Sequence, residues 1–81
     1  MNGFIVYDHH WNIWGFGPDV AAAWEMAEGN LNSIPRPTRT RRHLLAHSAS
    51  MSLLEALEDG PLSNAQWRIR DGVARLLREN F

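Results

Sequence analysis

The sequence contains no cysteine and no lysine, and it has no long apolar run. The absence of cysteine excludes disulfide bonds, thiolate nucleophiles and cysteine-based zinc sites, and it fits a reducing compartment. A membrane-spanning helix needs roughly 18 apolar residues in succession, and no stretch approaches that length. The amino-terminal segment lacks the basic and apolar regions of a signal peptide, so we expect a soluble, cytoplasmic protein.

The 81 residues predict a single domain that spans residues 1–81. A chain of this length buries only about 60–65% of its unfolded surface, so it has little stability with which to maintain a deep, strained active site. Hydrophobic residues make up 44% of the chain, which is enough for one core and excludes global disorder.

Charge is segregated along the chain although the net charge is only −1. Residues 1–35 carry four carboxylates and no cation, whereas residues 36–42 carry four arginines. All eight cations of the chain are arginine. This usage is typical of a GC-rich genome, and it also suits a surface that binds through fork-shaped guanidinium donors.

The amino-terminal residues predict a β-hairpin. Residues 4–7 and 12–17 are rich in β-branched and aromatic side chains, and the segment between them forms a short loop. The simplest register pairs Tyr7 with Ile13 and continues without a bulge, which leaves the other face thin and open. The face that this register makes the core consists of Phe4, Val6, Trp14 and Phe16.

A helix is predicted over about residues 18–31, directly after the hairpin. Pro18 suits the first helical turn, and Asp19 suits the positive end of the helix dipole. Glu25 lies opposite the apolar stripe and is expected to face solvent. The stripe consists of Val20, Ala23, Trp24, Ala27 and Leu31.

The carboxyl-terminal half admits several interpretations. Residues 41–47 fit either a third strand or the start of a helix, and residues 48–59 predict a helix with Ser52 and Glu55 at capping-box spacing. Residues 63–79 fit one long helix, or a strand and a turn at Asp71-Gly72 followed by a short helix. We favour some contribution to the sheet, because a two-stranded hairpin alone is only marginally stable.

The predicted fold is therefore α+β. An N-terminal antiparallel β-hairpin is packed by a helix, and a helix-rich C-terminal half adds one or two strands.

No arrangement of residues indicates catalysis. The GxSxG pattern of serine hydrolases is absent, and residues 15–17 hold too few glycines for a phosphate-binding loop. His43 and His47 are spaced as zinc ligands on a helix, but the HExxH pattern is absent because Leu-Leu-Ala separates them. We expect no enzymatic activity, no cofactor and no metal site.

Two surfaces could bind a macromolecule. Trp11 lies in the hairpin loop beside Tyr7 and the histidines at 9–10, a composition typical of a protein-binding hot spot, although it would also suit a ring folded over the sheet edge. The basic, proline-containing segment 36–42 could follow a nucleic-acid backbone or pair with the acidic helix.

The pattern of Tyr7-Asp8, residues 12–17 and the alanine- and tryptophan-rich stretch 21–24 resembles small proteins of proteobacterial phages and mobile elements. Residues 53–57 and 67–74 also fit that class. Some proteins of this size and origin are anti-CRISPR inhibitors, which bind a surveillance complex or its nuclease and block target DNA binding or recruitment. The resemblance thus implies a non-catalytic inhibitor that acts in the cytoplasm of a host bacterial cell, as a monomer or homodimer.

The partner implied is a protein or ribonucleoprotein complex, with a CRISPR surveillance complex as the leading candidate. The alternative is a small nucleic-acid-binding or regulatory protein that uses the cluster Arg36–Arg42. A third interpretation is a symmetric dimer that buries the open sheet face or edge. The residues expected to contact the partner are Tyr7, Asp8, Trp11, Glu25, Arg39, Arg41 and Arg42.

Overall fold

The computed structural model describes residues 2–33 and 44–78 of the chain. These residues form one mixed sheet of five strands in the order β2-β1-β3-β5-β4, together with two helices. Neighbouring strands are antiparallel except for the parallel pair β3 and β5. The elements are β1 (Gly3–Tyr7), β2 (Ile13–Gly17), α1 (Val20–Asn32), β3 (Leu45–Ala49), α2 (Met51–Asp59), β4 (Trp67–Arg70) and β5 (Val73–Leu76).

The predicted α+β class and the N-terminal hairpin packed by a helix are confirmed, but the register of the hairpin differs by a bulge. Val6 pairs with Gly15, and Ile5 pairs with Phe16. Trp14 is therefore the extra residue on β2. Because paired residues share a face, Phe16 lies on the face of Ile5, and its predicted place beside Phe4 and Val6 is wrong.

The bulge allows α1 to pack closely on the sheet. A Cβ atom added to Gly15 would lie 2.2 Å from the carbonyl oxygen of Ala23 and 2.6 Å from the backbone nitrogen of Ala27. Only glycine fits at that approach, so the register that turns Gly15 toward α1 also turns Phe16 away from it. The buried residues between α1 and the sheet are Val6, Ala23, Ala27, Leu31 and Leu44.

Helix α2 covers the opposite face, which the sequence predicted to be thin and open. Its N-cap is Ser50, whose hydroxyl accepts a 3.2 Å hydrogen bond from the backbone N–H of Leu53, so the predicted cap at Ser52 is wrong. The buried residues of this second core are Ile5, Ala49, Leu53, Leu54, Leu57, Trp67, Ala74 and Leu76.

The predicted helix-rich C-terminal half is wrong in part, because residues 44–78 form three strands and a single helix. Strands β4 and β5 form a hairpin whose turn holds Asp71 at φ 55° and Gly72 at φ 77°. Two successive residues with positive φ are the geometry of the tight turns that join right-handed twisted strands. Strand alternation sends Trp67 and Leu76 into the second core, which one continuous helix over 63–79 would not do.

Candidate functional site

The turn between β1 and β2 is organised around the carboxylate of Asp8, which is only 3% exposed. Its Oδ1 accepts hydrogen bonds from the backbone N–H groups of His10 at 2.8 Å and Asn12 at 3.0 Å. Its Oδ2 accepts one from the indole Nε1 of Trp14 at 2.9 Å and a longer one from the side-chain amide of Asn12 at 3.4 Å. The side chain of Asp8 thus ties the turn to the bulge of β2.

The hydrogen bonds also determine the ionisation of Asp8. Burial acts to raise the pKa of this carboxyl group. The hydrogen bonds from the Trp14 indole, from the backbone of Asn12 and His10 and from the Asn12 side chain act in the other direction and outweigh it, so the pKa lies below its ordinary value of 3.8. Asp8 is therefore ionised at neutral pH, as an acceptor of several N–H groups should be.

Trp11 occupies the tip of this turn with its backbone in the left-handed region, at φ 67°. A bulky side chain rarely adopts that conformation, and it persists only where the surroundings hold it. The backbone N–H of Trp11 donates a 3.0 Å hydrogen bond to the carbonyl oxygen of Asp8, inside the loop that the Asp8 carboxylate closes. The Asp8 turn therefore fixes the direction in which the Trp11 side chain leaves the backbone.

The ring of Trp11 joins a cluster of three aromatic side chains. It stacks on Tyr7 with a centroid distance of 5.6 Å and an interplanar angle of 24°, and it meets Trp67 edge to face at 5.4 Å. Tyr7 and Trp67 also meet edge to face, at 5.5 Å. Trp67 is completely buried, whereas Trp11 remains 39% exposed. The cluster thus anchors an exposed indole on the second core.

The surface around Trp11 is mixed in character. His9 and His10 are exposed and their ring centroids are 3.9 Å apart. The side-chain amide of Asn64 donates a 3.3 Å hydrogen bond to the carbonyl oxygen of His10, which links the turn to the loop before β4. Leu45, the partner of Tyr7 on β3, is 59% exposed and lies on the same face. We call this surface the turn patch; it comprises Tyr7, His9, His10, Trp11 and Leu45.

The turn patch consists of aromatic, imidazole and aliphatic side chains and contains no carboxylate. The carboxylate of Asp8 is committed to four N–H donors beneath the surface. Within the described parts of the chain, no group of three or more histidines and carboxylates could hold a metal ion. His47 has its Nδ1 within 2.8 Å of the carbonyl oxygen of Ser48, and His43 lies outside the described residues.

The structure brings together only part of the predicted contact set. Tyr7, Asp8 and Trp11 lie together at the turn, where Asp8 is buried and the rings of Tyr7 and Trp11 stack on each other. Glu25 is exposed on α1, which packs on the opposite face of the sheet, so it does not join the turn patch. The predicted contacts Arg39, Arg41 and Arg42, with the rest of the Arg36–Arg42 cluster, lie outside the described residues.

Sequence reasoning missed two members of the site. Trp67 supports the Trp11 ring, and Leu45 extends the exposed surface beside Tyr7. The alternation of Trp67 and Ile69 with arginines was a signal for a half-buried strand, but no local pattern indicates that this strand lies near the β1–β2 turn.

A second surface lies on the C-terminal hairpin. Arg68 and Arg75 are paired across β4 and β5, and Arg70 lies two residues farther along the same face of β4. These three arginines, the arginine face, point away from the second core that contains Trp67 and Leu76. Helix α1 packs against β2, β1 and β3 on that side of the sheet.

No helix in residues 2–33 or 44–78 has the length and apolar character needed to cross a membrane. Set against known proteins, the chain matches no family model, no curated protein and no solved structure.

Proposed function

We propose that this protein is a non-catalytic binding protein whose turn patch docks on a host protein or ribonucleoprotein complex, and that it acts as a phage-type inhibitor of the anti-CRISPR class. The observation that carries the binding role is the exposed indole of Trp11, held at φ 67° and stacked on Tyr7. Tryptophan and tyrosine dominate the energetic hot spots of protein interfaces.

Preorganisation supports this role. A side chain that must be ordered on binding costs about 0.5–1.5 kcal/mol of the interaction energy. The Asp8 hydrogen bonds and the contact with buried Trp67 fix the Trp11 ring before any partner arrives. The Trp11 side chain is therefore already ordered in the free protein, and binding loses little conformational entropy at this residue.

The character of the surface supports a protein partner in particular. The turn patch combines an indole, a phenol, two imidazoles and an aliphatic side chain, and it has no cation. Interface cores are enriched in aromatic residues and depleted in charged ones. A surface that binds phosphate groups would instead present arginine or lysine.

The inhibitory role rests on the resemblance to small phage and mobile-element proteins. A binder without catalytic groups can inhibit by occupying the surface that a surveillance complex or nuclease uses for target DNA or for recruitment. The turn patch supplies such a binding surface, and the resemblance supplies the class of target.

The test is a pull-down from a lysate of a proteobacterium that expresses a CRISPR surveillance complex, with and without nuclease treatment. We expect a stoichiometric complex that survives nuclease and is lost with Trp11→Gly, because glycine adopts φ 67° without strain while the whole indole side chain is removed. Val20→Ala is the matched control, since Val20 is exposed to a similar extent, 41%, on α1. Capture that is equal for wild type and Trp11→Gly would contradict the proposal.

A second candidate function is nucleic-acid binding through the arginine face. Arg68 and Arg70 are exposed on one face of β4 and could contact neighbouring phosphates, and such binding weakens steeply with salt. The same pull-down separates the two candidates, because bound material would then disappear with nuclease and with Arg68→Ala/Arg70→Ala but persist with Trp11→Gly.

A further inference from the structure

Strand β2 is one edge of the described sheet, and an open groove follows it. Helix α1 lies along one side of the groove and α2 along the other. The groove consists of two adjoining hollows of about 610 and 250 Å³ that share Phe16 and Met26 in their walls. The larger hollow lies beside Gly17 and Pro18, and the smaller one lies beside Ile13 and Gly15. We call the whole feature the edge groove.

The walls of the edge groove are mainly apolar and adaptable. Met26 of α1 is 39% exposed and Met51 of α2 is 45% exposed, and both line the larger hollow. Exposed methionines are common at surfaces that accommodate peptide side chains, because their unbranched side chains change shape at little cost. Leu54 and Phe16 complete the apolar lining of this hollow.

The charge of the edge groove is of one sign. Glu55 and Glu58 of α2 are both exposed, and they are the charged residues in the lining of the larger hollow. A two-fold pairing of β2 with β2 of a second copy would bring the two α2 helices side by side and set these carboxylates against each other. Charge therefore favours a basic partner over a second copy of this chain.

The exposed strand edge determines the shape of the occupant. As an edge strand, β2 presents backbone N–H and C=O groups that have no strand partner in the described sheet. A peptide can add to such an edge as a further strand, with main-chain hydrogen bonds for affinity and side-chain pockets for specificity. Asn30 of α1 already donates to the carbonyl oxygen of Trp14, so the docked strand would lie along residues 15–17.

We propose that the edge groove binds an extended peptide segment of a partner protein in which apolar and basic residues alternate. Successive side chains of an added strand point to opposite faces. Those directed toward α1 would meet Ala22 and Met26 and should be apolar. Those directed toward α2 would lay an aliphatic stem over Met51 and reach Glu55 or Glu58 with a cationic head, as arginine and lysine do. This site goes beyond the turn patch and does not depend on it.

The test uses the full chain and a fluorescein-labelled synthetic peptide of about seven residues in which valine and arginine alternate. We expect saturable binding in fluorescence anisotropy, and amide chemical-shift changes centred on β2. One control peptide has the same composition with the arginines in one block. The other carries proline at its central position, which removes a backbone donor and cannot extend a sheet ladder. Both controls should bind at least tenfold more weakly.

Matched variants assign the charge contribution. Glu55→Gln/Glu58→Gln should weaken binding about five- to twentyfold at low salt, since each exposed ion pair contributes modestly. Glu28→Gln, on an exposed position of α1 outside the groove lining, should bind as wild type. Trp11→Gly should also bind the peptide normally, so failure of the edge groove and failure of the turn patch are distinguishable.

Several outcomes would overturn the proposal. Equal binding of the proline peptide would exclude an added strand, and equal binding by the glutamine double variant would exclude recognition of basic residues. A dimer in light scattering that blocks the peptide would make a second copy the occupant. Binding that appears only after Arg39→Ala/Arg41→Ala/Arg42→Ala would make the chain's own basic segment the occupant.

Discussion

The indole Nε1 of Trp14 donates a 2.9 Å hydrogen bond to Oδ2 of Asp8. This bond joins the extra residue of the β2 bulge to the carboxylate that closes the neighbouring turn. The bulge therefore serves two purposes at once: it places Gly15 beneath α1, and it brings Trp14 to the acceptor that orders the turn around Trp11. The side chain of Trp14 thus links the packing of α1 on the sheet to the geometry of the turn patch.

Replacement of Asp8 should destabilise the fold. Asp8→Asn replaces one of the two accepting carboxylate oxygens with an amide NH₂ group, which cannot accept. The N–H groups that donate to that oxygen, such as the backbone of His10 or the indole of Trp14, then lose their acceptor. Such losses cost about 1–3 kcal/mol, and we expect a decrease of about 2–3 kcal/mol in the free energy of unfolding measured in urea. Asp19→Asn is the control, because asparagine caps a helix as well as aspartate and the change should stay within about 0.5 kcal/mol. Equal effects of the two substitutions would contradict the importance of the Asp8 network.

The same network predicts how stability depends on pH. The pKa of Asp8 in the folded state lies below its ordinary value of 3.8, so the folded state favours the ionised carboxylate. Its contribution to stability is complete above the ordinary pKa and is lost as the pH falls through the lowered folded-state value. Urea unfolding should therefore show that the free energy of unfolding of wild type exceeds that of Asp8→Asn by a constant amount from about pH 7 to about pH 5. Below about pH 4 this difference should shrink. A difference that grows toward acid would mean that burial, rather than hydrogen bonding, dominates at this carboxyl group.

Two glycines should respond to alanine in opposite directions. A Cβ on Gly15 would meet backbone atoms of Ala23 and Ala27, which cannot yield unless α1 moves as a whole, so Gly15→Ala should cost about 2 kcal/mol or more. Gly29 lies within α1, and beyond its chain neighbours and the adjacent helix backbone no atom lies within 4 Å of the added Cβ, so Gly29→Ala should stabilise by about 0.5–1 kcal/mol through helix propensity. Thermal unfolding of both variants measures the two signs. A mild effect of Gly15→Ala would show that α1 does not pack as closely as described.

Local patterns were sufficient for the elements whose signals lie within a few residues. The hairpin and α1 follow from β-branched runs and a Pro-Asp start, whereas the loop position of Trp11 left open whether its ring is exposed or folded over the sheet edge. The register did not follow, because the bulge at Trp14 is decided by the contact of Gly15 with α1, which is a tertiary interaction. Residues of the turn that are adjacent in sequence were identified, whereas Trp67 and Leu45 reach the turn patch only through the sheet order.

The C-terminal half shows the same limit. Apolar residues in 63–79 fit helical spacing as well as they fit two short strands, so periodicity alone could not separate the two. What separates them is the second core: Trp67 and Leu76 face α2 from paired strands, and Ala74 meets Ala49 across a parallel pairing that no local window contains. The predicted cap of α2 was wrong for a related reason, since β3 continues to Ala49 and the next residue, Ser50, is the N-cap.

The position of that cap can be measured directly. The hydroxyl of Ser50 accepts from the backbone N–H of Leu53, so Ser50→Ala should cost about 1 kcal/mol. Ser52 is exposed within the first turn of α2, and Ser52→Ala should leave stability unchanged or raise it by a few tenths of a kcal/mol through helix propensity. Urea unfolding of the two variants distinguishes the caps. A loss with Ser52→Ala alone would restore the capping box that the sequence suggested.

Substitution of Gly72 decides between strand and helix for the last segment. In the hairpin, Gly72 has φ 77°, and alanine in that left-handed conformation should cost about 1–2 kcal/mol. In a helix over 63–79, the same Gly72→Ala change would instead stabilise by about 1 kcal/mol. Asp71→Asn is the control, because asparagine tolerates the positive φ of 55° at least as well as aspartate and should leave the unfolding midpoint nearly unchanged. The sign of the Gly72→Ala effect in thermal unfolding therefore tests the β4–β5 hairpin, and with it the contact between Trp67 and Trp11. A variant more stable than wild type would contradict both the hairpin and that contact.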